Sequence, residues 1–121
     1  MYIRIVSEKD FEESLISSGH NKEQLDQAEH LVRDEFERCA TFLYQELMDE
    51  QLPENVELRL TIDANEVDGF IKEGALMVRK STPADLVFGI YDFTITNVIE
   101  QGTEKLHDVL MHELIHALDF E

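Results

Sequence analysis

Seven apolar residues, Leu25, Ala28, Val32, Phe36, Cys39, Leu43 and Leu47, recur at steps of three or four. That spacing puts them on one stripe of an α-helix, because a helix turns once in 3.6 residues. The spacing predicts a helix over residues 22–50, with Glu and Asp on its solvated face and Pro53 closing the segment. A helix with one apolar stripe must bury it, so the rest of the chain has to supply a second layer.

The second layer is legible as a change of period. Val56, Leu58, Leu60 and Ile62 alternate with Glu57, Arg59, Thr61 and Asp63, the pattern of a half-buried strand. Residues 2–6 read as a short strand. Ser7 then reads as the cap of a helix running to about Ser17, with Glu8 and Asp10 suiting its positive end. Residues 18–21 form a breaker cluster. Turns are expected at residues 64–69 and 81–84, with a strand over 75–80 between them. Residues 86–99, rich in β-branched and aromatic side chains, predict one long strand with Gly89 as a bulge. Thr103 can cap a final helix from Glu104 to at least Asp119. The expected fold class is α+β in the order β-α-α-β-β-β-α, with a small mixed sheet. Residues 1–121 are expected to form a single domain, with the option that it is truncated at its C-terminal end.

Composition narrows the function classes. The chain has 121 residues with 27 acids against 10 bases, a formal charge of −17, which repels phosphate and disfavours direct nucleic-acid binding. The plain consequence is a self-repelling acidic surface; the sharper ones are a basic partner, a basic substrate or mimicry of a nucleic acid backbone. The one cysteine, Cys39, suits a reducing compartment, and its place on the apolar stripe predicts buried packing rather than nucleophilic chemistry. No membrane span or signal peptide is read, so the expected location is cytoplasmic. Residues 63–69 look briefly like a calcium loop, but its twelfth position falls on Gly74 or Ala75 instead of Glu.

The final helix holds His112-Glu113-Leu114-Ile115-His116. Histidines four apart stand one helical turn apart on the same face and can converge on one ion. Glu113, beside them, can take a proton from water at that ion and return it to a leaving amine. Leu114 and Ile115 are expected to turn inward and anchor the helix. A three-letter motif of this kind arises by chance in roughly a few per cent of chains rich in His and Glu. The flanking Val109, Leu110, Met111, Ala117 and Leu118 keep out charges and prolines.

Over residues 109–119 the chain resembles the zincin metallopeptidases. His116-Ala117-Leu118-Asp119 looks like the HExxHxxD form of neprilysin-type and compact phage or bacterial metallopeptidases. The resemblance implies a zincin-like fold and a zinc-dependent peptidase, with His112 and His116 as Zn2+ ligands and Glu113 as general base. It implies a role for Asp119 in orienting a ligand histidine, and Asp108, one turn before His112, is a further candidate for that role. It also implies an edge strand beside the active helix on which an extended peptide substrate pairs, for which residues 87–96 are the expected counterpart.

The family pattern departs in one respect: zincins take a third ligand from beyond the motif, and here the sequence given ends at Glu121. Four alternatives stay open: a missing tail, an upstream histidine (His20, His30 or His107), a second subunit, or a site that binds without cutting. His107 lies roughly 140° around the helix from His112, which disfavours it. His30, beside the apolar stripe, reads as a partly buried histidine rather than a ligand. The competing functional class is a non-catalytic acidic binding protein, a degenerate zincin or nucleic-acid mimic acting on a basic partner. Oligomeric state is not readable.

Overall fold

In the computed structural model, which describes residues 1–62, 75–82 and 85–119 (side chains at 1–62 and 88–115), the alternating segment becomes an inner strand of a sheet. The strands are β1 (Tyr2–Ser7), β2 (Asn55–Thr61), β3 (Ala75–Thr82) and β4 (Asp85–Tyr91). Their order is β1-β2-β4-β3. β1, β2 and β4 run parallel and β3 is antiparallel to β4, which leaves β3 at an edge. The helices are α1 (Lys9–Ser17), α2 (Lys22–Thr41), α3 (Asp92–Gln101) and α4 (Glu104–Asp119). The fold is α+β.

Register puts the buried side chains of the parallel strands on one face. Ile3 pairs with Val56, Leu58 with Phe88, and Leu60 with Ile90, and all six are buried. The other face is charged, with Arg4 and Arg59 both paired to Glu57. Among the described residues the helices pack on the apolar side: Phe36 of α2 meets Phe88 edge-on at 5.4 Å between ring centroids. Phe11 and Leu15 bring α1 to the same core, and Leu106, Leu110 and Leu114 bring α4. Among the described residues no helix is long and apolar enough to cross a membrane.

The long helix starts at Asn21, whose side chain accepts from the Gln24 N–H while Gln24 returns a bond to the Asn21 N–H. This reciprocal cap gives part of the expected breaker cluster a positive role. At the other end residues Phe42–Leu47 open into a wider π-helical turn. The extra residue per turn shifts the phase of the stripe. Tyr44 is buried as a result, and Leu47, expected on the stripe, is 61% exposed. His30 is also exposed rather than partly buried.

Four further expectations are corrected. Ser7 ends β1 and donates its hydroxyl to Glu29, while Glu8 holds the cap position of α1. Residues 86–99 are a strand and a helix, because Tyr91, Thr94, Ile95 and Val98 are buried at helical spacing. Gly89 pairs regularly with Arg59 and Leu76, and the register shifts lie in β3, between Met77 and Arg79 and between Lys80 and Thr82. Ser81 and Thr82 extend β3, whereas the expected turn at 64–69 and the calcium-like loop lie outside the described residues, as do residues 83–84. Between α3 and α4, Gly102 takes φ +93°, a conformation that costs a residue with Cβ. The Thr103 carbonyl then accepts from the His107 N–H at 2.8 Å.

Removing the reciprocal cap with Asn21→Ala is expected to lower unfolding free energy by about 1 kcal/mol. Urea denaturation of the variant beside the parent checks this, and an unchanged midpoint would count against the cap.

Candidate functional site

α4 is amphipathic in a specific way. Leu106, Val109, Leu110, Glu113 and Leu114 are buried, at spacings of three, one, three and one. These positions form one continuous stripe facing α2, α3 and β3. Four of the five are aliphatic and the fifth is a carboxylate, only 1% exposed. His112, immediately before it, is exposed, and so is Ile115, which corrects the expectation that Ile115 anchors the helix. Leu114 anchors it as expected.

The helix runs unbroken from Glu104 to Asp119, so His112 and His116 are one turn apart along a regular backbone. The side chains of His116 and Asp119 lie outside those described. Asp108 is exposed and lines a polar hollow of about 280 Å³ between α3 and α4 with Asn97, Gln101, Glu104 and Lys105. Of the upstream histidines weighed as ligands, His20 lies 3.9 Å from Glu100 on α3, and His107 points toward α2. The segment expected to lie at the sheet edge, residues 87–96, is divided between inner strand β4 and helix α3. The edge beside α4 belongs to β3.

A second constellation was not foreseen. Glu35 of α2 is 3% exposed, and its two carboxylate oxygens are engaged separately. Arg38 Nη1 donates to Oε1 at 2.7 Å, and His107 Nδ1 lies 2.7 Å from Oε2. The Cys39 thiol donates to the same Oε2 at 3.5 Å, with its sulfur 3.4 Å from His107 Nδ1. Cys39 is buried as expected, but among polar groups. Burial, then its hydrogen bond to the Glu35 carboxylate, pushes the thiol up from 9.0 to about 12, with Arg38 opposing. The sequence did hold one signal: Glu35 and Cys39 are four apart, on the same side of an otherwise apolar stripe. His107 comes from the other end of the chain, and local spacing carries no trace of it.

Comparison with protein-family models, with curated proteins and with solved structures found no match.

The Cys39 thiol has a consequence for stability. Unfolded, it loses its proton near pH 9; folded, it keeps it to about 12. The folded state therefore binds the extra proton in this window, and stability falls as pH rises from about 9 toward 12. Urea unfolding of the metal-stripped proteins at about pH 8 and about pH 10.5 is expected to show a larger loss for the parent than for Cys39→Ser. Equal losses would contradict the assignment.

Proposed function

We propose that the chain is a zinc-dependent peptidase of zincin type, with α4 as its active-site helix. The observation that carries this reading is the burial of Glu113 within an apolar stripe, directly beside an exposed histidine. Burying a carboxylate is costly, so packing alone does not select one at that position. A residue that must meet water at an ion held along the helix edge is a reason to keep it there.

The residue types and their spacing suit the metal. Two imidazoles one turn apart on an unbroken helix are a suitable nitrogen pair for zinc, and His112 is open to solvent. His112 and His116 would hold the ion. When bound, zinc supplies a Lewis acid that acidifies water and polarises a carbonyl. Glu113 takes the proton of the attacking water on its carboxylate and passes it to the leaving amine nitrogen. Leu110 and Leu114, fully buried on the same helix, fix the rotation of the helix that carries Glu113. Asp119, three residues past His116, is assigned to orient a ligand histidine.

The sheet supports the same reading. β3 is an antiparallel edge strand in contact with α4, the arrangement that lets an extended peptide add a further strand beside the active helix. Its backbone takes the role first expected of residues 87–96. The charge of −17 favours a basic peptide as substrate.

Glu113→Gln keeps the shape of the side chain and removes its basicity. It is expected to retain zinc while lowering kcat on a susceptible basic peptide by at least about a hundredfold. Parent-like turnover by the variant would show that another group acts as base.

A further inference from the structure

We infer that Glu35, Cys39 and His107 form a second metal site, a zinc-binding staple between α2 and α4. It is separate from the His112–His116 pair, since His107 lies five residues before His112 and roughly 140° around the helix.

The geometry is close to that of a tetrahedral zinc face. With zinc–sulfur bonds of about 2.3 Å and zinc–nitrogen and zinc–oxygen bonds of about 2.0–2.1 Å, ligand atoms sit roughly 3.5 Å apart around sulfur and roughly 3.3 Å apart between nitrogen and oxygen. Cys39 Sγ lies 3.4 Å from His107 Nδ1 and 3.5 Å from Glu35 Oε2. The remaining edge, Nδ1 to Oε2, is 2.7 Å, the length of a hydrogen bond, and lengthens by roughly 0.6 Å when an ion replaces the shared proton. The three ligand atoms therefore already converge.

The chemistry of the set points to zinc. A thiolate, an imidazole and a carboxylate combine soft, borderline and hard donors, which zinc accepts together and calcium or magnesium does not. On binding, the Cys39 S–H bond breaks, a sulfur–zinc bond forms and the proton leaves to solvent. The proton shared by His107 Nδ1 and Glu35 Oε2 moves by way of solvent to Nε2, so that His107 offers Nδ1 as a neutral imidazole. Arg38 occupies the other Glu35 oxygen and so fixes the carboxylate with Oε2 toward the site. Glu35 and Cys39 are buried, whereas the His107 side chain is 48% exposed at the mouth of a groove of about 660 Å³ that Phe42 and Met111 also line. The fourth coordination position opens to that groove and takes water or another small donor.

Cobalt(II) separates this site from the other. Cys39 is the one cysteine in the chain, so a thiolate-to-cobalt charge-transfer band reports on it alone. Metal-stripped parent and a His112→Ala/His116→Ala variant, both checked for folding by circular dichroism, are titrated with Co2+ and then Zn2+. The band is expected in both proteins, to be displaced by zinc, and to vanish in Cys39→Ser. Glu35→Gln and His107→Ala are expected to weaken Co2+ binding by more than about tenfold. Zinc should raise the melting temperature of the double-histidine variant. A folded parent and a folded double variant that both lack the band at saturating cobalt would overturn the site and show a hydrogen-bonded ion-pair network in its place, whatever the fate of the peptidase proposal.

Discussion

The burial of one face of α4 is the constraint on which the rest of the structure depends. Leu106, Leu110 and Leu114 are fully enclosed, and they lock the rotation of the helix against α2, α3 and the edge of the sheet. Fully burying each such side chain contributes about 1.5–3 kcal/mol, so a slip that exposed all of them would cost much of the stability a small domain has. With rotation fixed, Glu113 has to face inward and His112 outward. A histidine and a carboxylate adjacent in sequence thus meet at the boundary between core and solvent, His112 exposed and Glu113 enclosed. The same rotation turns His107 toward α2, where Glu35 and Cys39 meet it.

α2 is the other half of that frame. Its stripe packs Phe36 against Phe88 of β4, and Val32, Cys39 and Leu43 extend the contact along the helix. Glu35 lies within this apolar surface, where an unpaired carboxylate is strongly disfavoured. Its engagement with Arg38 and His107 explains how the charge is tolerated. It also ties the middle of α2 to the start of α4, so an ion held there would stiffen the helix that carries His112, Glu113 and His116.

Strong periodicity made much of the fold readable before the structure. The stripe from Leu25 to Leu43 and the alternation from Val56 to Leu60 each match one period and no other, and both became the expected elements. Residues 86–99 misled because Val87, Ile90, Thr94, Ile95, Thr96, Val98 and Ile99 all favour strands by intrinsic preference. Tertiary packing prevailed: Thr94, Ile95 and Val98 bury one side of a helix, and Asp92 accepts from the Phe93 N–H at its first turn while receiving a bond from Ser14. Leu47 misled for a different reason, since a π-helical turn has no marker in the apolar pattern. The HExxH motif was legible because its residues are local to one helix. The Glu35–Cys39–His107 group was not, because it closes over a separation of 68 residues between Cys39 and His107.

On the proposed reading, His112 and His116 together grip a divalent ion beside Glu113. Zinc content per chain, measured by elemental analysis of the parent and of His112→Ala/His116→Ala purified side by side, tests it most directly. The double variant is expected to lose one equivalent of zinc relative to the parent while its circular dichroism is preserved. The same zinc content in both proteins would contradict it.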